Sequence, residues 1–204
     1  MSNKYIALLG KTPELSVKEL ETIVFREAYG TNFERIHTYL VRFEAEEFPE
    51  NLVSISGGIV KLYEVMETGV DAEIAIANDL KENQIKAFTI TGLDQSVNNM
   101  EVDIKTSLKE QGMRVRFAPK RNIFDSAALK KFTEYSVFKI EDQVIIGKAV
   151  AWQNIDYWNY KDYNRPAADP KSGMLPPKIA RIMVNLAFPQ YPQTQPVVYD
   201  PFCG

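Results

Sequence analysis

The first third of the chain alternates between apolar and polar positions in a way that predicts a small α+β unit. Tyr5 to Gly10 form an apolar strand, which Lys11-Thr12-Pro13 ends. Ser16 precedes Glu19 by three residues, a capping-box spacing that predicts a helix start. The helix then carries apolar residues at helical spacing, namely Val17, Leu20, Ile23 and Val24. Period-two segments follow at Thr38 to Phe43 and Lys61 to Met66. The order predicts a ferredoxin-like unit over residues 1–68.

Residues 69–152 repeat this mixture of elements without repeating the sequence. Helices are predicted at Asp71 to Lys81, Glu101 to Gln111 and Ser126 to Phe132, and Gly112 ends the second of them. Strands are predicted at Lys86 to Thr91, Met113 to Phe117, Tyr135 to Ile140 and Val144 to Trp152. In the strand from Met113 to Phe117, Arg114 and Arg116 share one face.

The composition changes after Trp152. Residues 153–172 are rich in Tyr, Asn, Asp and Pro without a visible period, which predicts a linker or loop. The aromatic run from Asp156 to Tyr163 suits RNA stacking and linker packing equally well. A helix follows Pro176-Pro177, with Ile179, Ile182, Met183 and Leu186 expected on its buried face. Residues 173–204 then end on an apolar strand and a glycine turn, which we interpret as the truncated start of another domain.

The charge balance matters for any nucleic-acid hypothesis. The net charge is −3, so binding by charge requires a local basic patch. Residues 113–131 provide one, with six cations against Asp125. The predicted RNA-binding residues are Arg114, Arg116, Lys120, Arg121, Lys130 and Lys131. Such side chains suit phosphate groups, although a solvated basic face would have the same composition.

Several functional classes receive no support. There is no apolar stretch long enough for a membrane span and no signal peptide, so we expect a cytoplasmic protein without membrane association. A lone cysteine, Cys203, and a lone histidine, His37, provide neither a disulfide nor a metal-ligand cluster. We expect no metal, and we interpret His37 as a surface residue.

The last eight residues, Val197 to Gly204, have the form of a cofactor-binding strand and turn. In open α/β folds the ligand lies beyond the carboxyl end of the first strand, where a tight turn and a carboxylate approach it. Asp200-Pro201-Phe202-Cys203-Gly204 resembles the first S-adenosylmethionine motif of class I methyltransferases. Within such a motif, Cys203 is expected to be a packing residue rather than a methyl-accepting nucleophile.

The segment from Arg165 to Ala187 resembles the region before this motif in tRNA guanine-N2-methyltransferases that act on the guanine at position ten. Leu9 to Ser16, Ser56 to Lys61 and Gly147 to Gln153 resemble that family more loosely. The resemblance implies an α+β chain with a ferredoxin-like domain over residues 1–68 and a THUMP domain over residues 69–152. A linker over 153–172 and the start of a Rossmann-like class I methyltransferase domain over 173–204 would complete it.

The resemblance also implies site residues and a function. The cofactor, S-adenosyl-L-methionine, would contact Asp200, Phe202, Gly204, Gly173, Met174, Leu175 and Pro176. The family's catalytic motif is absent, since Leu175-Pro176-Pro177-Lys178 has neither the polar residue nor the aromatic that flank its prolines, so catalytic residues stay unknown. The expected function is the N-terminal part of a tRNA methyltransferase that is inactive by itself. The alternatives are a stand-alone RNA-binding adaptor and an amino-group DNA methyltransferase, and a protein partner subunit is left open.

Overall fold

The computed structural model describes residues 2–92, 97, 99–118, 132–164, 175–190, 196, 197 and 199. Within these ranges the strands are β1 (Asn3–Leu9), β2 (Thr31–His37), β3 (Leu40–Ala45), β4 (Ile59–Thr68), β5 (Ala87–Gly92), β6 (Arg116–Phe117), β7 (Thr133–Ile140) and β8 (Gln143–Trp152). The helices are α1 (Pro13–Arg26), α2 (Leu52–Ile55), α3 (Ala72–Glu82), α4 (Met100–Glu110), α5 (Ile155–Tyr163) and α6 (Pro177–Ala187).

One mixed sheet of eight strands runs through the described part of the chain, in the order β2-β3-β1-β4-β8-β7-β5-β6. The first six strands in this order pair antiparallel, whereas β5 pairs parallel with both β7 and β6. Strand β4 pairs with β8 from Lys61 to Thr68, so the sheet continues from the N-terminal elements into the later ones. The order β1-α1-β2-β3-α2-β4 is the βαββαβ order of a ferredoxin-like unit.

Strand register brings several segments to one end of the sheet. Leu9 of β1 pairs with Ile59, and Lys61 pairs with Trp152 at the end of β8. On the other side of β8, the beginnings of β7, β5 and β6 meet at the pairs Phe88–Thr133 and Ala87–Arg116. We call this the α5 end of the sheet, because α5 begins three residues after Trp152.

Apolar side chains bury both faces of the sheet. On one face, α1 packs Leu20, Ile23 and Val24 against Tyr5 and its alternate neighbours on β1. Helices α3 and α4 cover β5 and β7 in a second cluster, which consists of Ala72, Ala75, Ile76, Ala77, Leu80, Phe88, Ile90, Ile104, Leu108, Val115, Tyr135, Val137 and Ile146. The opposite face carries a third cluster, formed by Ile6, Leu40, Tyr63, Phe138 and Ile145. Burial of this kind contributes about 25 cal/mol per Å² of apolar surface.

The N-terminus of α1 differs from the sequence prediction. The helix begins at Pro13 with Thr12 at the N-cap position, and Ser16 lies inside its first turn, where its hydroxyl donates to the Thr12 carbonyl at 2.9 Å. Proline suits the first turn because its missing N–H has no partner there anyway. The capping box predicted from Ser16 and Glu19 is therefore wrong, and both side chains are fully buried.

One further local prediction is shifted and another is wrong. The strand expected over Thr38 to Phe43 is β3, which begins only at Leu40, while Thr38 and Tyr39 form the turn after the unpredicted edge strand β2. The loop expected after Gln153 contains α5, whose cap is Asn154, with a side-chain oxygen that accepts from the Tyr157 N–H at 2.9 Å. Strand β2 and helix α5 bury few side chains, so both lack the apolar period on which the prediction depended.

The remaining strands and helices predicted over described residues are present with shifted ends, although only Arg116 and Phe117 of the strand expected from Met113 join the sheet. The helix expected over 126–132 lies outside the described residues, apart from its last residue. No helix in the described ranges has the length and apolar character to cross a membrane.

Candidate nucleic-acid interface

Two glycines at the α5 end of the sheet allow α1 and α6 to approach the start of β4. A Cβ atom on Gly57 would lie 2.2 Å from the Lys178 carbonyl oxygen of α6. A Cβ atom on Gly58 would lie 2.4 Å from the Ser16 hydroxyl and 2.9 Å from its Cα. Backbone atoms occupy both spaces, so a larger residue at either position would push a helix away from the sheet.

Glu19 of α1 uses this close approach. Its Oε1 accepts from the Gly57 N–H at 2.8 Å and its Oε2 from the Gly58 N–H at 2.7 Å. The Asn185 amide of α6 donates to Oε1 at 2.7 Å. Burial raises the pKa of Glu19, and the donors from Gly57, Asn185 and Gly58, together with the Arg181 charge, offset part of that rise. The carboxylate thus joins α1, the glycine pair and α6. We call the contact of Glu19 with Gly57, Gly58 and Asn185 the Glu19 junction.

Asn185 and Arg26 extend this junction along α6. The Asn185 amide also donates to the Ile55 carbonyl at 2.9 Å, and its side-chain oxygen accepts from Arg26 Nη2 at 3.3 Å. Arg26 Nη1 donates to the Phe188 carbonyl at 3.1 Å, just after the end of α6. The buried face of α6 therefore centres on Ile182 and Asn185. Met183, which we expected on that face, is 55% exposed, because polar contacts decide how the helix docks.

A cleft of about 560 Å³ opens beside the junction, between the β1–α1 turn, the glycine pair, α5 and α6. Lys178 lies on its wall, and its ammonium group donates to Gln153 Oε1 at 2.6 Å. Gln153 Nε2 in turn donates to the Gly57 carbonyl at 3.2 Å. Burial and the nearby Lys11 charge lower the pKa of Lys178, and Asp162 opposes this shift. Among the described lining residues, Lys11 and Lys178 thus place two cations on the cleft against one carboxylate, Asp162, which favours anionic groups.

Trp158 is one of several α5 residues that line the cleft. Its ring is buried, and the Lys178 ammonium and the Arg181 guanidinium lie 5.8 and 5.7 Å from its centroid. Both distances are within the range of cation–π attraction. In contrast, Tyr160 and Tyr163 are 61% and 77% exposed. The aromatic run therefore divides by position: its tryptophan packs against α6, Tyr160 faces solvent, and Tyr163 lines the cleft with its ring largely exposed.

The predicted arginine face is present at the edge of the sheet. Arg114 and Arg116 are exposed and Val115 between them is buried, as the alternation requires. Phe117 contacts the buried Phe88 edge-on at 5.9 Å. Its ring lies 4.5 Å from the Lys105 ammonium of α4, on the same side as Val115. The two arginines consequently project from the side of β6 away from α4, at the α5 end of the sheet.

A second buried carboxylate lies in the sheet on its other face. Glu134 of β7 binds the Lys61 ammonium at 2.6 and 2.8 Å. Tyr63 and Thr91 donate hydroxyl hydrogen bonds to Glu134 Oε1 at 3.2 and 3.0 Å. Gly147 of β8 lies between the strands, where a Cβ would be 2.9 Å from the Tyr63 Cβ. Burial and the Glu134 charge raise the pKa of Tyr63 well above its ordinary value, so this phenol is a hydrogen-bond donor at neutral pH.

Most residues predicted to bind a ligand fall outside the described ranges. This holds for Lys120, Arg121, Lys130 and Lys131 of the RNA-binding prediction, and for Asp200, Phe202, Gly204, Gly173 and Met174 of the cofactor prediction. Of the remaining cofactor residues, Leu175 is half exposed and Pro176 lines the cleft. Cofactor binding therefore stays a prediction. His37 is exposed, and its Nδ1 accepts from the Tyr39 N–H at 3.3 Å, as expected of a surface histidine.

Sequence reasoning missed the residues that organise this end of the molecule. Glu19 was assigned to a helix cap, and Asn185 interrupts an apolar stripe without any local signal. Their partners are 38 to 166 residues distant in sequence. Only the Gly57-Gly58 pair was a usable hint, because adjacent glycines before a strand indicate a close backbone approach.

Comparisons with known proteins identify a similar fold but no family. No protein-family model matches the chain, and no curated protein matches its sequence. TrmN from Thermus thermophilus superimposes with a TM-score of 0.53 at 13% identity, over 92% of this chain and 55% of that one. A predicted N6-adenine-specific DNA methylase from Listeria monocytogenes has a TM-score of 0.48 at 14% identity, over 90% and 48% of the two chains. A 4-thiouridine synthetase, solved as an RNA complex with bound ATP, has a TM-score of 0.46 at 11% identity, over 74% and 42%.

The likeness to TrmN, at this identity, establishes a shared fold of mixed α/β type. This chain spans about half the length of the solved structures it resembles.

Proposed function

We propose that this chain supplies the RNA-binding part and the first cofactor motif of an S-adenosylmethionine-dependent tRNA methyltransferase, with N2 of a guanine as the methyl acceptor. The observation that carries the proposal is the Asp200-Pro201-Phe202-Cys203-Gly204 ending, in a chain whose fold is similar to that of TrmN. Arg116 of β6, Arg114 just before it and the cations of the cleft, all at the α5 end of the sheet, support an anionic partner.

In this proposal the arginine face holds the tRNA backbone. Arg114 and Arg116 contact phosphates, together with Lys120, Arg121, Lys130 and Lys131 from the adjoining segment. Such contacts position an RNA without reading its sequence, which suits recognition of shape and unpaired ends. We include in this proposal the domain division from the sequence. It has a ferredoxin-like domain over 1–68, a THUMP domain over 69–152, a linker over 153–172 and the methyltransferase start over 173–204.

The proposed cofactor residues follow the same motif. Asp200, Phe202 and Gly204 would hold S-adenosylmethionine, with Gly173, Met174, Leu175 and Pro176 approaching from the preceding loop. When bound, S-adenosylmethionine would supply the methyl group of its sulfonium to the exocyclic amine of a guanine, which would lose a proton, and the cofactor would leave as a neutral thioether. A base in a helical stack cannot reach such a site, so the target guanine has to leave its stack first. The Glu19 junction would fix α6, and with it the start of this motif region, against the RNA-binding elements.

A filter-binding titration of the 204-residue chain tests the RNA assignment. Total tRNA and duplex DNA are compared at two salt concentrations, with wild type and the Arg114→Ala/Arg116→Ala variant. We expect selective tRNA binding that weakens with salt. The variant should bind about tenfold or more weakly and should lower the slope of log K against log salt by roughly 0.7 to 0.9 per lost phosphate contact.

The matched control is Lys4→Ala/Lys139→Ala, which removes the same charge from exposed positions at the opposite end of the sheet. It should leave tRNA affinity nearly unchanged. Equal affinity for duplex DNA would favour a DNA methyltransferase instead, and absence of tRNA binding at both salt concentrations would refute the RNA assignment.

A further inference from the structure

Helix α5 presents tyrosine rings to solvent along one side. Tyr157, Tyr160 and Tyr163 follow each other at intervals of three residues and are 40%, 61% and 77% exposed. Intervals of three place successive side chains about 60° apart around a helix, so the three rings follow one another over an arc of about 120°, and Tyr163 at the end of this arc also lines the cleft. Trp158 is buried against α6, and the Tyr157 ring contacts it edge-on at a centroid distance of 5.3 Å. Exposed aromatic rings in such a row are unusual on a solvated helix and indicate a binding surface.

Cationic groups adjoin these rings. The Lys161 ammonium lies 5.6 Å from the Tyr157 ring centroid, and Arg181 Nη2 donates to the Tyr157 hydroxyl at 3.4 Å. Lys11 and Lys178 line the cleft on the inner side of α5. Two carboxylates belong to the same helix, since Asp162 lines the cleft and Asp156 is exposed in the first turn. Among the described residues, cations therefore outnumber carboxylates around α5, in a chain whose net charge is −3.

The tyrosine side of α5 and the arginines of β6 lie at the same end of the sheet. Strand β8 ends at Trp152, just before α5, and β6 begins at Arg116 on the far side of β7 and β5. Three strand spacings separate β8 from β6, which is roughly 14 Å. At about 3.4 Å per nucleotide along one strand, roughly four stacked nucleotides cover this distance.

We propose that Tyr157, Tyr160 and Tyr163 form a stacking platform for unpaired RNA bases, and that Lys161 and Arg181 beside them hold the adjoining phosphates. An aromatic row flanked by cations is the arrangement that binds single-stranded nucleic acid, because every base offers a ring face and every linkage a negative charge. This inference rests on the proposed function, since it extends the arginine contact on β6 along the α5 end of the sheet.

The test measures binding of a fluorescein-labelled, twelve-nucleotide oligoadenylate RNA and of total tRNA by fluorescence anisotropy and competition. Tyr160→Ala/Tyr163→Ala should weaken oligoadenylate binding roughly 5- to 100-fold, the range expected for a lost stacked base. Tyr160→Phe/Tyr163→Phe keeps the rings and should bind within about twofold of wild type. The salt slope should stay unchanged in both variants, because stacking releases no counterions.

Two further variants sharpen the assignment. Phe25→Ala removes a ring that is 73% exposed near the end of α1, which starts at the α5 end of the sheet and runs about 20 Å away from it. This control should leave RNA affinity unchanged. Asp156→Asn removes a carboxylate from the exposed side of α5 and should tighten binding about twofold or more.

The outcomes separate this inference from the proposed function. Binding that depends on Arg114 and Arg116 but is unaffected by loss of the tyrosine rings overturns the platform alone, and would mean that the rings contact another protein surface. A weakened phenylalanine double variant also overturns it, because the hydroxyl groups rather than the rings would then be responsible. Failure of wild type to bind either RNA overturns both the platform and the RNA-binding function.

Discussion

Glu134 and Glu19 are both fully buried acidic side chains, but the molecule stabilises them in different ways. Glu134 lies within the sheet, pairs with the Lys61 ammonium and accepts two hydroxyl hydrogen bonds. Glu19 lies between helices and accepts from two glycine N–H groups and one side-chain amide. The first arrangement connects β4 to β7 across β8, and the second connects α6 to the end of the sheet.

The difference shows which parts of the molecule are held by charge and which by backbone geometry. A buried ion pair requires both partners, because either charge alone remains in a medium that solvates it poorly. The Glu19 junction depends instead on dipolar donors, and these are available only because glycine lets the backbone approach. We therefore expect loss of the Glu134 carboxylate to lower the global stability of the protein. Loss of the Glu19 carboxyl group should mainly weaken the docking of α6.

The largest effect is expected for Glu134→Ala. It removes the carboxylate that neutralises Lys61 and accepts from Tyr63, and the side chains of Lys61 and Glu134 are only 7% and 0% exposed. We expect a loss of about 3 to 5 kcal/mol in the free energy of unfolding, measured by urea denaturation at pH 7.

The matched control for this prediction is Lys61→Met/Glu134→Leu, which replaces the pair by apolar residues of similar volume. It should recover at least about 2 kcal/mol relative to Glu134→Ala, since paired buried charges often contribute little net stability. If Glu134→Ala were as stable as wild type, water would reach Lys61, and the Lys61–Glu134 pair would not connect the strands.

A smaller effect is expected for Glu19→Gln. The glutamine oxygen still accepts from one or two donors, but its NH₂ group then faces the N–H of Gly57 or Gly58. We expect a loss of about 1 to 3 kcal/mol at pH 5, the cost of leaving a buried donor unsatisfied. Thermal and urea unfolding of both proteins measure this difference.

The same variant has a defined pH dependence. Because the pKa of Glu19 is raised in the folded state, the folded protein keeps a proton that the unfolded chain has already released. This contribution to stability is complete below the ordinary pKa of 4.5 and is lost as the pH rises through the raised value. The stability difference between wild type and Glu19→Gln should therefore shrink as the pH rises through this window. A difference that grows with pH would mean that the donors outweigh burial and favour the charged carboxylate.

The sequence predicted those elements whose formation depends on residues close together in the chain. It did not predict features that depend on residues far apart in sequence. Strands β4, β5, β7 and β8 and helices α3 and α4 carry strong apolar periods, and they were predicted close to their positions. Strand β2 and helix α5 were not predicted, because an edge strand and a mostly exposed helix need few buried residues. The exposed arginines of β6 were predictable from simple alternation, which depends only on neighbours in sequence.

The junction could not be predicted for a different reason. An acid three residues after a serine can cap a helix, or it can be buried against a glycine pair that is distant in sequence. Contacts that exist only after the sheet has formed decide between the two. Glu19 has the residue type and spacing of a capping box, yet its donors belong to β4's approach and to α6. Pro13 was the competing local signal, since it places the helix start three residues earlier.

The smallest effect is expected for Asn185→Ala, and it distinguishes local docking from global stability. The variant removes one of the two donors to Glu19 Oε1, one donor to the Ile55 carbonyl and the acceptor of Arg26 Nη2, while the Gly57 N–H and Arg181 Nη1 still serve the first two oxygens. We expect a loss of about 1 kcal/mol, typical of a hydrogen bond whose partners keep other contacts. Hydrogen–deuterium exchange should rise in α6 and stay unchanged in β4 and β7, because the sheet does not depend on α6 for its pairing. Faster exchange throughout the sheet would instead make α6 part of one cooperative unit with it, and the distinction between a charge-held sheet and a separately docked helix would fail.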